Sequence, residues 1–214
     1  MNLELVHGNF GDIERIAKEH QFFPVDGIVF DLGLSMRQLS ALGRGLSFKN
    51  EKEPLDMRLD TNEEKTAANY INVLTEHQLY DLFAKNSEEI NSRAIAVSIV
   101  RARQVRKIKT VGDLVRIIDR TVKKRDTRVL RKIFQALRIE VNHEFENLRR
   151  GLEGATRLIK DDGKVLMVTF HSLEDRMVKQ FVRERNLKFE TKKPVITKSD
   201  FVFERSAKLR IILP

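Results

Sequence analysis

The chain of 214 residues contains no cysteine. Disulfides, thiolate metal ligands and cysteine nucleophiles are therefore excluded together. Glycine and proline are also sparse, 10 and 4 residues, which rules out collagen-like and low-complexity chains. With 41% hydrophobic and 33% charged residues, the composition is that of a folded globular chain rather than a disordered one. No apolar run approaches the roughly 18 residues that would suggest a membrane-spanning helix. The opening MNLELVHGNF lacks the basic and apolar regions of a secretory signal. A cytoplasmic address with no membrane partner is the expectation. The length suits one sizeable hydrophobic core with a smaller inserted module.

What the sequence has in excess is positive charge, +9 in all, and it is concentrated. Residues 101–132 carry 13 Lys and Arg against Asp113, Asp119 and Asp126, a net +10, so the remainder of the chain is close to neutral. A local field of that sign suits a polyanion such as nucleic acid, because Lys and Arg contacts to phosphate release condensed counterions. A solvated helix surface would read the same way from charge alone.

Two segments share one design. VDGIVFDLGLS reads as a buried strand, 28–32, that opens into a loop at Gly33, and GKVLMVTFHS (163–172) repeats it. Each has a polar residue where the strand ends, Asp31 in one and His171 in the other. Ligands of open α/β sheets bind beyond the carboxyl ends of the strands, so neighbouring strands would bring these two residues to one rim. LELV (3–6) is a weaker third strand candidate, and the alternation over 206–211 predicts a half-buried strand with Ala207, Leu209 and Ile211 inward.

Between the two strands the pattern turns helical. Thr75 with Gln78 and Thr110 with Asp113 have capping-box spacing ahead of apolar stripes. A helix is expected from about residue 86 with Ile90, Ala94, Ile95 and Ile99 on its apolar face, and another over 129–158. After His171, Ser172 and Asp175 match an N-cap pair. The expected architecture is an α/β core of residues 1–34 and 143–214 interrupted by a helical domain, 35–142. KKPVITKSD (192–200) is the best candidate for a mobile loop.

The sequence contains no GxGxxG, Walker A, HExxH, GxSxG or EF-hand pattern. The five histidines lack metal-ligand spacing, so no metal is expected. Five segments remain: DLGLSMRQLS (31–40), RGLSF (44–48) with PLDMRLD (54–60), FQALRIEVNHE (134–144), FHSLEDRMVKQF (170–181) and RSAKLR (205–210). In that order, and through nearly the whole chain, they resemble the ribosomal RNA small-subunit methyltransferase H family, also called MraW-like. The resemblance implies transfer of a methyl group from S-adenosylmethionine to N4 of a cytidine in small-subunit ribosomal RNA, with that RNA or the assembled small subunit as partner. It implies a class I methyltransferase (Rossmann-like) sheet with an all-helical insertion that recognises RNA.

The same resemblance assigns roles. Taken alone, Asp31 is a solvated strand-end carboxylate. By resemblance Phe10, Asp31 and Gln38 touch the methyl donor, and a carboxylate near a sulfonium is sensible electrostatics. Cytosine N4 is a poor nucleophile because its lone pair is delocalised, so transfer needs the amine oriented in line with the methyl group. Asp31, Ser35 and His171 are the candidates for that orienting shell, and Phe48 or Phe170 could stack on an extruded base. No covalent intermediate is needed, in keeping with the lack of cysteine, which also excludes C5 methylation through a thiol. Arg44, Arg58, Lys123, Lys124, Arg138, Lys208 and Arg210 are the candidate RNA contacts. The resemblance further places Arg44, Asp56 and Arg58 in a lid. Gln135, Arg138 and Asn142 form one polar stripe on a helix.

Departures from the family pattern qualify the expectation. The family's first hundred or so residues, with a Gly-Gly-His cofactor loop and an acidic ribose ligand, have no counterpart here. In the class I strand order 3-2-1-4-5-7-6, that leaves strand 4 as an unprotected edge. Met36 replaces a family Ser, SEEI (87–90) stands for Gly-Glu-Glu-Arg, and RVLRKI (128–133) for His-Pro-Ala-Thr-Arg-Thr. A truncated product, half of a split enzyme whose cofactor loop comes from a separate chain, and a relative that retains RNA binding without catalysis all fit. A helix-turn-helix DNA binder over 87–132 is a further reading, against which the strands and FHSLEDR argue.

Overall fold

The computed structural model describes residues 3–34, 43–196 and 206–214. The chain divides into two compact units: Met1–Gly33 with Phe145–Pro214, and Leu34–Glu144. Among the described residues no helix is long and apolar enough to cross a membrane.

The first unit is an α/β layer. Its elements are a 3-10 turn (Phe10–Asp12), α1 (Ile13–Glu19) and β1 (Val25–Asp31), and later in the chain α7, β2, α8 and β3–β5. Here α7 is Glu144–Leu158, β2 Ile159–Thr169, α8 Ser172–Glu184, β3 Lys188–Phe189, β4 Val195–Ile196 and β5 Lys208–Leu213. The sheet runs β1-β2-β5-β3, with β4 also on β5. β1 and β2 are parallel and β5 is antiparallel to β2. This is the 4-5-7-6 half of the class I strand order. Ile28 and Phe30 of β1, Val165 and Met167 of β2, Leu148, Leu152 and Ala155 of α7 and Val178 and Phe181 of α8 build one core. The period-two and period-3.6 spacing of these apolar residues is why the segments become strands and helices.

Three sequence expectations need correction here. LELV forms no strand: among the described residues no strand pairs with it, and Leu3 and Leu5 are 85% and 88% exposed. β2 begins at Ile159, ahead of the expected Gly163, and absorbs the extra residues as an irregularity in its pairing with Val25–Gly27. The inward face of β5 is also the opposite one: Arg210 and Ile212 are buried, while Leu209 and Ile211 are only half-buried.

The second unit is helical: α2 (Ala67–Val73), α3 (Glu76–Ser87), α4 (Ser92–Val105), α5 (Val111–Thr121) and α6 (Thr127–Val141). Leu79, Phe83, Ile95, Ile99, Leu114, Ile118, Leu130 and Ile133 share a single core. The capping boxes at Thr75–Gln78 and Thr110–Asp113 are both formed. The helix expected from about residue 86 starts later, at Ser92. α3 continues through Ser87 and ends on Glu88 in the left-handed region (φ 52°), leaving Ile90 93% exposed rather than on an apolar face. The single helix expected over 129–158 is two, α6 and α7, divided where His143 takes φ 50°.

A loop in this unit depends on one glycine. Gly45 has φ +71°, and a Cβ there would lie 2.4 Å from the Pro54 carbonyl oxygen. Only glycine fits both the left-handed backbone and that approach. Met57 is fully buried at φ 64°, a conformation costing about 1–2 kcal/mol in a side-chain-bearing residue. Its N–H donates to the Arg44 carbonyl at 2.7 Å and its carbonyl accepts from Asn142 Nδ2 at 2.9 Å. Asn142 Oδ1 also accepts from the Leu59 N–H at 2.7 Å. This residue of the polar stripe is therefore a buried clamp on the 57–59 loop.

Candidate active site at the ends of two parallel strands

The site grows out of the pairing of β1 with β2. Asp31 lies opposite Val168, and the Leu32 N–H donates to the Val168 carbonyl at 3.2 Å, so both strands stop at nearly the same level. The chain after β1 turns at Gly33, where an added Cβ would sit 2.7 Å from the Phe170 ring. A side chain there would require the Phe170 ring to shift. The exposed carboxylate of Asp31 accepts from the Gly33 N–H at 3.1 Å. Asp31 and His171 thus occupy neighbouring strand ends.

His171 opens α8. Its Nδ1 accepts from the Glu174 N–H at 3.3 Å, and the Glu174 carboxylate accepts from the Phe170 and His171 N–H groups at 2.7 and 3.2 Å. This is a capping box with histidine as N-cap, in place of the Ser172–Asp175 pair expected from sequence. Glu174 was missed because histidine is not among the usual N-cap residues. The available signal was the spacing H-x-x-E ahead of an apolar stripe. The Phe145 ring meets His171 edge-on at 6.3 Å.

Asp175, released from capping, faces β5. Arg210 Nε and Nη2 donate to its two carboxylate oxygens at 2.5 and 3.3 Å, and the guanidinium lies 5.0 Å from the centre of the Phe189 ring. Both partners are buried, with side chains 7% and 6% exposed. This corrects the expectation that Arg210 meets solvent or RNA: a counter-ion on α8 and an aromatic face draw it inward. Burial pushes the Asp175 carboxyl up, but the hydrogen bonds and charge of Arg210, with Lys179 and Lys208, outweigh it and hold the group below its ordinary value. A carboxyl depressed in the folded state stabilises the fold above its unfolded pKa, about 3.9, and loses that contribution as pH falls through the folded value. The stability gap between the parent and Asp175→Asn should therefore be constant near neutrality and shrink below about pH 4. Urea unfolding followed by circular dichroism at several pH values measures it.

Phe10 lies in the 3-10 turn capped by Asn9, whose Oδ1 accepts from the Gly11 N–H at 2.8 Å. Its ring packs edge-on against Phe30, 6.0 Å between centres, and remains 40% exposed. Phe30 precedes Asp31 in β1, and its buried ring points to the opposite face of the sheet from the exposed carboxylate. Ser35 and Gln38 lie outside the described residues.

The other sequence candidates fall in different places. Arg58 makes a two-pronged pair with Asp56, 2.7 and 2.9 Å, and donates to the carbonyls of Thr61 and Glu63. Burial raises the Asp56 carboxyl, and the Arg58 contacts reverse that to leave it lowered. Arg44 donates to the carbonyls of Arg58 and Leu59 at 3.0 and 3.2 Å. Arg138 pairs with Glu144 through two hydrogen bonds of 2.7 and 3.1 Å. These three guanidinium groups brace the chain's own loops. Lys123 and Lys124 are exposed beyond the end of α5, Lys123 at φ 58°. Lys208 is half-buried at the start of β5.

Comparison with known proteins identifies the family. Residues 1–212 match the model of the MraW methylase family. The ribosomal RNA small subunit methyltransferase H of Sulfurihydrogenibium azorense is 42% identical over 97% of this chain and 74% of its own length. That of Thermomicrobium roseum is 44% identical over 83% of this chain and 55% of its own length. The Desulfotalea psychrophila protein is 43% identical over 90% of this chain and 67% of its own length. With a family match that spans almost every residue, strand ends arranged as the class I order requires and relatives above 40% identity, this chain belongs to the MraW methylase family.

Proposed function

We propose that the chain acts in S-adenosylmethionine-dependent methylation of cytidine N4 in small-subunit ribosomal RNA. The observation that supports this reading most is that Asp31 ends β1 and His171 follows β2, two paired parallel strands. A half-exposed Phe10 packed on Phe30 and an exposed carboxylate at the end of the same strand would suit the aromatic and the cationic parts of the methyl donor. Phe10, Asp31 and, by family resemblance, Gln38 would hold the methyl donor, which supplies an electrophilic methyl group. Asp31 accepts from the exocyclic amine and directs its lone pair, and Phe170 walls the pocket. In this reading Ser35 belongs to the same orienting shell.

The outer edge of β1 supports a partner contribution. β1 pairs with β2 alone among the described residues, and Val29 is 66% exposed. A strand that carries a glycine-rich cofactor loop, supplied by this polypeptide or by a separate chain, would satisfy that edge. RNA is the polyanion that suits the +10 segment, where Lys123, Lys124, Arg120 and Arg128 are exposed. The same segment favours the second reading, an RNA-binding module without catalysis.

Calorimetric titration with S-adenosylmethionine separates the two. Saturable heat, with label transferred from the donor to a small-subunit cytidine, is the expected result. No heat at millimolar donor, together with retained binding of small-subunit RNA, would reject donor binding by this chain alone and favour the module.

A further inference from the structure

The reading above leaves open how the pocket would recognise its base, and the hydrogen-bond pattern around His171 bears on it. A backbone N–H can only donate, so the Glu174 N–H directed at His171 Nδ1 requires a lone pair there. In the neutral ring the proton then sits on Nε2. That atom is buried and 3.0 Å from Glu174 Oε1, yet out of line with it, and its N–H has no hydrogen-bond acceptor among the described residues. Leaving a buried donor without a partner is costly, and an acceptor atom of a ligand would offset that cost. Glu174 itself is 5% exposed and holds the turn through the Phe170 and His171 N–H groups.

We infer that Glu174 is a positioning residue that fixes His171 as an Nε2–H donor, and that this donor, together with the Asp31 acceptor at the end of the paired strand, distinguishes cytosine from uracil. The inference rests on the proposed reaction. Cytosine presents a donor, the N4 amine, next to an acceptor, N3, and these complement Asp31 and His171 Nε2–H in turn. Uracil presents the reverse pair, O4 and N3–H, and meets each protein group with a like one. A site whose buried groups are left unpaired by the wrong base discriminates far more strongly than one that relies on shape. Adenine shares the cytosine pattern, so the discrimination is against uracil.

The test is nuclear magnetic resonance of the full chain labelled with 15N-histidine. Long-range proton–nitrogen correlations should show His171 as a single tautomer with the proton on Nε2. Glu174→Ala should yield a mixture of both tautomers, and Glu174→Gln, whose amide oxygen still accepts from the Phe170 N–H, should restore the parent pattern. A proton on Nδ1 in the parent, or an unchanged pattern in Glu174→Ala, would overturn the positioning role. Added cytidine should move the Nε2 signal and uridine at equal concentration should not. Equal movement with both, or with neither, would reject the donor role. None of these readings requires methyl transfer, so a failure of the proposed reaction is seen separately in the donor titration.

Discussion

Removal of Arg210 is expected to cost this protein about 3–5 kcal/mol of stability, because a buried carboxylate is left without its partner. Asp175 is 4% exposed and its oxygens accept from Arg210 at 2.5 and 3.3 Å. Lys179, 3.4 Å from the same carboxylate, is half-exposed and too weakly held to replace it. Arg210→Ala and Asp175→Ala should each show the loss in urea unfolding. The double replacement Arg210→Met with Asp175→Leu should recover most of it, since apolar residues of similar volume carry no desolvation penalty. The tyrosines, Tyr70 and Tyr80, both lie in the helical unit, so far-ultraviolet circular dichroism is the suitable probe. A double variant as unstable as the singles would show that the pair contributes shape rather than charge compensation.

The second large effect concerns chemistry. Asp31→Ala is expected to lower methyl transfer to small subunits by about 10²–10³-fold, the range seen when one pre-oriented electrostatic contact to a reacting centre is removed. Its folding stability should change by less than about 1 kcal/mol, because the side chain is exposed and makes one hydrogen bond to the Gly33 N–H. Transfer rates from labelled donor, with unfolding curves for the same preparations, measure both quantities. An unchanged rate would remove Asp31 from the reaction.

Asp175 and Glu174 show where sequence reasoning stopped. The helix after His171 is plain from Met177, Val178, Phe181 and Val182, and its start is correctly near Ser172. Which carboxylate caps it is not legible, because Glu174 and Asp175 both lie within reach of the first turn. The choice depends on Arg210, 35 residues away, which claims Asp175 and leaves Glu174 for the backbone. Arg210 itself was misplaced because a strand's period of two identifies its two faces without saying which is covered. Similarly, the stripe of Gln135, Arg138 and Asn142 is a true feature of α6. Its meaning depends on a distant loop, since Asn142 holds Met57 and Leu59.

By itself the sequence determined the two strands that lead to Asp31 and His171, the capping boxes at Thr75 and Thr110, the apolar faces of most helices and the family. Each of these is written in residues close together in the chain, where local backbone preference and hydrophobic spacing suffice. Tertiary structure alone decided that Arg210 turns inward, that His171 caps α8 in a box with Glu174, that Asn142 clamps a loop and that Arg58 braces its own turn. These outcomes depend on polar groups that fold together from distant positions, where a buried charge or donor must find a partner and takes the one that packing brings within reach.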